Sequence, residues 1–143
     1  MLGKIKIRRA TVKDIPKLIN IVKGVKSIED YPGEFSKIYF KKMFKKNNVL
    51  VAEIDEEIAG FVEFEWDSGA KRIFLESVAV SKDHRNSGIG SMLIDYVERF
   101  AKKHNAIRIS MLTRVWNTPI NILAKRKGFM KFDTLYGWGK VLR

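Results

Sequence analysis

The apolar residues of this 143-residue chain change their spacing repeatedly, and that change of period limits the fold more than any other feature. Ile5 and Ile7 alternate with polar neighbours over Lys4–Arg9, which predicts a short strand. Ile15, Leu18, Ile19, Val22 and Val25 then recur at helical spacing. Thr11 or Asp14 supplies the N-cap, and Pro16 falls in the first turn if the cap is Asp14. Tyr31-Pro32-Gly33 breaks the chain. Glu34–Lys46 predicts a second helix with Phe35, Ile38, Tyr39 and Met43 on its apolar side. Lys37, Lys41, Lys42, Lys45 and Lys46 make that helix strongly basic.

The middle of the chain changes to β periodicity. Val49–Ile54, Ile58–Trp66 and Lys71–Val80 predict consecutive strands, with turns at Asp55-Glu56-Glu57 and Asp67-Ser68-Gly69-Ala70. A polar loop from Ser81 to Ser87 leads into a helix over Gly88–Lys103, whose core side is Ile89, Met92, Leu93, Tyr96, Val97 and Phe100. Ile107–Leu112 predicts a strand, Asn117–Lys127 a short helix, and Phe129–Leu142 a final hairpin or bent strand. The order β-α-α-β-β-β-α-β-α-β predicts an α/β fold: one mixed sheet with helices on both faces, in a single domain over residues 1–143.

Composition narrows the chemistry. Cysteine is absent, so disulfides, cysteine-ligated metals and a cysteine nucleophile are excluded. His84 and His104 are too far apart in sequence to suggest a histidine metal site, and no metal is expected. No apolar run approaches the ~20 residues of a membrane span. The chain begins in a strand pattern rather than a signal peptide, so a cytoplasmic protein without a membrane partner is expected. Gln is absent while Lys, Ile and Glu are abundant, as in thermophile proteins. Lys plus Arg is 28 against 16 for Asp plus Glu, a formal charge of +12. That charge suits nucleic acid, a small polyanion or plain solubility. Nucleic acid is disfavoured, because no exposed strand face interleaves aromatics and no helix-turn-helix pattern occurs.

Arg85-Asn86-Ser87-Gly88-Ile89-Gly90 stands between a buried strand and an amphipathic helix. Backbone N–H groups at a helix start have no intrahelical partner, and the helix dipole adds positive charge there. Glycines let a phosphate approach that backbone closely. The third glycine of a dinucleotide fingerprint is replaced by Leu93, and no Walker A loop exists.

With the strand before it, this Arg85-x-x-Gly88-x-Gly90 helix start resembles the acetyl-CoA-binding motif of the GNAT N-acetyltransferases. Ile7-Arg8-Arg9-Ala10-Thr11-x-x-Asp14 resembles the family's opening, and Asn117 followed by Gly128-Phe129 resembles its last helix and strand. The resemblance implies a sheet splayed between residues 73–80 and 107–112. Pantetheine would lie there against Val78, Ala79 and Val80, with its pyrophosphate on Arg85, Asn86, Ser87, Gly88, Ile89, Gly90 and Ser91. Asn117 would reach the pantetheine arm. The co-substrate implied is acetyl-CoA, which also gives the basic charge a use.

Many members of the family carry a tyrosine four residues before the Gly-Phe pair. Here that position is Ala124, so a catalytic tyrosine does not carry over. A thiolate with a free pKa near ~8.5 leaves without help at neutral pH. Water can protonate it afterwards, and Tyr136 and Tyr96 are the alternative proton donors to test.

Amine acetylation needs a proton acceptor. Glu76 lies mid-strand on the same alternating side as Phe74, Val78 and Val80, where apolar neighbours raise a carboxyl pKa. The family often places a glutamate in this strand. A two- or four-residue hairpin loop sets Trp66 opposite Lys71, Glu63 opposite Phe74 and Phe61 opposite Glu76. Glu63 and Glu76 are then diagonal neighbours on one face, raising one another's pKa and attracting a cationic amine.

The segment Ser27–Phe40, where the family usually meets its acceptor, offers Glu29 and Tyr31 as contacts for such an amine. The expected enzyme moves an acetyl group to a primary amine, on a small molecule or a peptide, by direct attack in a ternary complex. The alternative is a non-catalytic acyl-CoA-binding or regulatory module, which Ala124 favours. A homodimer is compatible with either.

Overall fold

In the computed structural model, which describes residues 3–23 and 37–142, five strands form one sheet in chain order. They are β1 (Ile5–Arg9), β2 (Asn48–Ile54), β3 (Glu57–Asp67), β4 (Arg72–Val80) and β5 (Arg108–Met111). The pairs β1–β2, β2–β3 and β3–β4 are antiparallel, and β4–β5 is parallel. The helices between them are α1 (Ile15–Lys23), α2 (Lys37–Lys46) and α3 (Ile89–Lys103). This is the expected mixed sheet.

Both faces of the sheet are covered. On β3 every residue from Ile58 to Phe64 is buried, as expected for a central strand packed on two sides. Phe61 joins one core cluster with Ile15, Leu18, Ile21 and Val22 of α1, Phe40 of α2, and Val49 and Val51 of β2. Phe64 faces the other way, toward α3, where Phe100 packs edge-on at 5.1 Å between ring centroids. Leu93, Ile94 and Val97 complete the buried stripe of α3. Burying an aliphatic or aromatic side chain of this size contributes about 1.5–3 kcal/mol.

The entry to α1 is closed by charge. Arg8 on β1 donates to both carboxylate oxygens of Asp14, at 2.8 and 3.0 Å, and its Nε donates to Glu53 at 2.6 Å. Asp14 also accepts from the Thr11 backbone N–H at 2.7 Å. The Arg8 guanidinium, opposed by partial burial and helped by Thr11, holds the Asp14 carboxyl below the usual carboxylate range. Thr11 is the N-cap, of a 3-10 turn over Val12–Asp14 that runs directly into α1. Asp14 is therefore not the cap but its third-residue partner, and Pro16 still falls in the first turn of α1.

Two hairpins set the registers. Asp55 and Glu56 both have positive φ, so a two-residue turn joins β2 to β3. The β3–β4 loop is Ser68–Lys71, one residue later than expected, with Asp67 paired to Arg72. The Asp67 carboxylate accepts from the Ala70 N–H at 3.0 Å and folds the loop around itself, and Lys71 takes the left-handed conformation. The pairing is thus Trp66 with Ile73 rather than with Lys71.

Residues 1–112 make up one compact unit and 113–143 a second. The second contains α4 (Thr118–Arg126), with Asn117 at its N-cap. Residues 129–142 carry neither helix nor strand, against the expected final hairpin. Apart from Phe129 they are exposed throughout, and a hairpin with no packed face is marginal in water.

Candidate functional site

Where β4 leaves β5, the sheet opens. The two strands pair only from Arg72↔Arg108 to Leu75↔Met111, while β4 runs on to Val80. Beyond Leu75, that edge of β4 has no strand partner among the described residues. The unpaired stretch contains Glu76, Val78, Ala79 and Val80, where the resemblance implied a splay.

The stretch begins at a bulge. Phe64 pairs with Leu75, but Glu63 pairs with Ser77, so Glu76 is an extra residue opposite β3. The expected opposition of Glu63 to Phe74 and Phe61 to Glu76 does not occur, and Phe61 pairs with Ala79. The bulge also reverses the alternation. Leu75 lies on the α3 face with Phe64, whereas Ser77 and Ala79 lie on the α1–α2 face with Glu63 and Phe61. Val78 and Val80 consequently turn to the α3 face and do not share a side with Phe74. Gly60, opposite Val80, confirms this, because a Cβ there would stand 3.1 Å from Ile89 of α3.

The two glutamates have different surroundings. Glu63 is 1% exposed. It accepts from Asn47 Nδ2 at 2.9 Å and from the Tyr39 hydroxyl at 3.1 Å. Burial pushes its pKa up, against the opposing hydrogen bonds and the Lys46 charge. Glu76 is exposed and makes no hydrogen bond or ion pair among the described residues. Partial desolvation raises its pKa, and the charges of Glu63 and Glu65 raise it further, with Lys46 opposing. The two carboxyls are therefore electrostatic neighbours, one sealed and one accessible. Tyr39 and Asn47 are the partners that sequence reasoning missed. An asparagine between a helix end and a strand reads as a turn residue, and no local pattern ties it to Glu63.

After Val80 the chain makes a 3-10 turn, Lys82–His84, and enters α3 through Gly88. The loop holds itself together. Ser81 Oγ bonds His84 Nδ1 at 2.7 Å, and the Ser87 hydroxyl donates to the His84 carbonyl. Both serines are turned into the loop rather than onto the helix start. Gly88 is the N-cap at φ 82, has no side chain to offer, and a Cβ there would meet nothing within 4 Å. Asn86 also has positive φ.

The first bond within α3 is Met92 N–H to the Gly88 carbonyl at 3.0 Å. The N–H groups of Ile89, Gly90 and Ser91 are those that helix geometry leaves without an intrahelical acceptor. No acidic residue lies in that first turn. Arg85 is exposed beside it, with Nε 3.5 Å from the Val80 carbonyl. Open space, unspent donors and a guanidinium fit the phosphate end of a coenzyme A.

Three sequence candidates remain. Asn117 belongs to the second unit, at the start of α4, without a side-chain capping bond. Glu29 and Tyr31 lie outside the described residues. Among the described residues no cluster of three or more His, Asp or Glu side chains could hold a metal ion. No helix among them is long and apolar enough to cross a membrane.

Known proteins share this fold. The sequence profile of the acetyltransferase (GNAT) family matches residues 17–129. An uncharacterized N-acetyltransferase of Archaeoglobus fulgidus is 30% identical over 131 residues, covering 84% of this chain and 86% of its own. One of Methanocaldococcus jannaschii is 24% identical over 148 residues; the match takes in 96% of this chain but spans only 66% of that relative's length. The crystal structure of the PaiA N-acetyltransferase of Thermoplasma acidophilum, in complex with coenzyme A, superposes with a TM-score of 0.82 at 19% identity, covering 92% of each chain. The profile match over most of the chain, together with the relative of Archaeoglobus fulgidus, shows that the chain belongs to the GNAT acetyltransferases.

Proposed function

We propose that this chain is one catalytic domain that moves an acetyl group from acetyl-CoA to a primary amine, by direct attack in a ternary complex. The observation that carries the reading is the run of β4 from Glu76 to the helix start. A carboxyl that is exposed and unpaired among the described residues, and raised in pKa, stands at one end, and an uncapped helix start follows the other. Glu76 and Val80 are four residues apart, about 13 Å of strand. That length suits a donor whose phosphates rest at α3 and whose thioester reaches the bulge.

The donor supplies an activated thioester carbonyl. The N–H groups of Ile89, Gly90 and Ser91, with Arg85, hold its anionic end. The unpaired edge at Val78 and Val80 offers N–H and C=O groups to an extended arm. Glu76 takes the proton from the amine nitrogen as the N–C bond forms and the C–S bond breaks. The sulfur departs as a thiolate, which an ordinary thiol pKa near ~8.5 permits without a general acid. Glu63, sealed behind Tyr39 and Asn47, acts on the reaction through the pKa of Glu76. With no cysteine in the chain, a cysteine acyl-enzyme route is closed.

The test is Glu76→Gln, which keeps shape and loses the basic oxygen. Turnover should fall roughly 10²–10⁴-fold with acetyl-CoA affinity unchanged. In the wild type, activity should be lost as pH falls through the raised Glu76 pKa, because the protonated acid cannot act as base. Glu63→Gln should move that limb to lower pH. A Glu76→Gln enzyme with normal turnover across pH would make Glu76 structural, and absence of turnover with every amine would leave an acyl-CoA-binding module.

A further inference from the structure

Resting on the acyl-transfer reading, we propose that the acceptor amine is carried on an acidic polypeptide segment, which docks along the lysine rows of α2. Over Lys37–Lys46 this helix has Lys37, Lys41, Lys42, Lys45 and Lys46 and no acidic residue. All five lysines are exposed. The opposite side is anchored, with Phe40 fully buried and Tyr39, Met43 and Phe44 packed against the core cluster. The lysines are thus held outward on a fixed helix.

Their spacing works against the helix. Lys37, Lys41 and Lys45 form one row at four-residue intervals, and Lys42 and Lys46 form a second beside it. Like charges four residues apart oppose helix formation. None of the five takes part in an ion pair among the described residues. The contrast within the same unit is α3, where Asp95 and Glu98 are interspersed with Arg99, Lys102 and Lys103. A helix kept single-signed at a cost in its own stability has anionic charge as its natural complement.

The rows lead to the site. Lys46, at the end of α2, is the cation whose charge acts on both Glu63 and Glu76. Tyr39, on the inner side of the same helix, donates to Glu63. The 10 residues of α2 span about 15 Å, which about five residues of extended peptide also cover. A peptide with its amine at Glu76 and carboxylates trailing along α2 uses both features at once. A free polyamine would be repelled by the rows. A nucleic acid would match their charge, but its base amines are conjugated and weakly nucleophilic. The exposed side of α2 also offers no exposed aromatic residue on which bases could stack.

The experiment measures acetyl transfer to peptides that share one N-terminal residue and continue with acidic, neutral or basic side chains. The value of kcat/KM should be about tenfold higher for the acidic peptide, chiefly through KM, and should shrink with added salt. The triple variant Lys37→Gln, Lys41→Gln, Lys45→Gln should erase most of that preference, with transfer to the neutral peptide and acetyl-CoA affinity unchanged. These side chains are exposed, so an undiminished melting temperature checks the fold.

Equal kcat/KM for acidic and neutral peptides, or a preference that survives the triple variant, overturns the proposal and leaves acyl transfer standing. No transfer to any amine, with normal acetyl-CoA binding, overturns the transferase reading instead. Fluorescence anisotropy of the labelled acidic peptide then decides on the rows: binding about tenfold weaker to the triple variant supports them, and equal binding overturns them. A single-stranded oligonucleotide of equal charge that displaces the peptide more strongly than unlabelled peptide does also overturns the proposal, in favour of nucleic acid.

Discussion

The helices α1 and α3 begin in opposite ways. Before α1, Thr11 and Asp14 close the helix entry, and Arg8 neutralises the carboxylate they use. Before α3, the cap is a glycine in the left-handed region, no side chain caps the end, and the loop serines are bonded elsewhere. Both helices carry the same dipole, and both leave N–H groups without intrahelical acceptors. At the first, the Thr11 N–H and the Asp14 carboxylate are bonded to one another, and that contributes to stability. The second leaves its N–H groups available, and availability is what an anionic ligand requires.

The largest test of this contrast closes the open end. Gly90→Val, or Gly88→Val, should weaken acetyl-CoA binding roughly 30–100-fold by calorimetry, because the backbone can no longer meet a phosphate closely. At Gly88 the positive φ adds strain, so Gly90→Val is the cleaner variant. Normal binding by Gly90→Val would remove the loop as the anion site.

Opening the closed end should have a different consequence. Asp14→Asn should cost about 2 kcal/mol, less than a fully buried pair, since Arg8 keeps solvent contact. The melting temperature should drop by about 6 °C, with acetyl-CoA affinity unchanged. The pH dependence has a definite sign. The folded Asp14 holds its proton less tightly than the unfolded one, so its contribution is present above the ordinary carboxylate pKa. It is lost as pH falls through the lowered folded value. Asp14→Asn should flatten that acid limb. A variant equally steep in acid would place the lost stability elsewhere.

The smallest effect separates the parts of the ligand. Acetyl-CoA at ten times its dissociation constant should stabilise the fold by about 1.4 kcal/mol, seen as a rise in melting temperature. Pantetheine at the same concentration should do much less, because it brings no phosphates to α3. Equal shifts would locate the affinity in the strand edge.

These predictions lean on features of unequal legibility. The open helix start was readable because its signals are local: a glycine pair, an arginine and an apolar helix in one short stretch. Element order was readable for the same reason, since each period is written in neighbouring residues. The register was not. Phe74, Glu76, Val78 and Val80 look like one uninterrupted face, and hydrophobic alternation does not record an inserted residue. The loop that places Asp67 opposite Arg72 depends on one side-chain bond to the Ala70 N–H. The surroundings of Glu63 were also hidden, because Tyr39 and Asn47 meet it across 24 and 16 positions of sequence. The hairpin or bent strand expected over residues 129–142 has no buried face to support it.

The extra residue in β4 separates two demands that usually fall together on a core strand. What occupies position 76 bears on the proposed chemistry: Glu76 is exposed, and the buried residues Ile73, Leu75 and Ala79 flank it. That something occupies it is a question of counting. Without position 76 the strand would keep a single phase, and Ala79 would exchange places with Val78 or Val80 between the two faces. Substitution here is thus a chemical change, whereas deletion of one codon re-sorts half a strand.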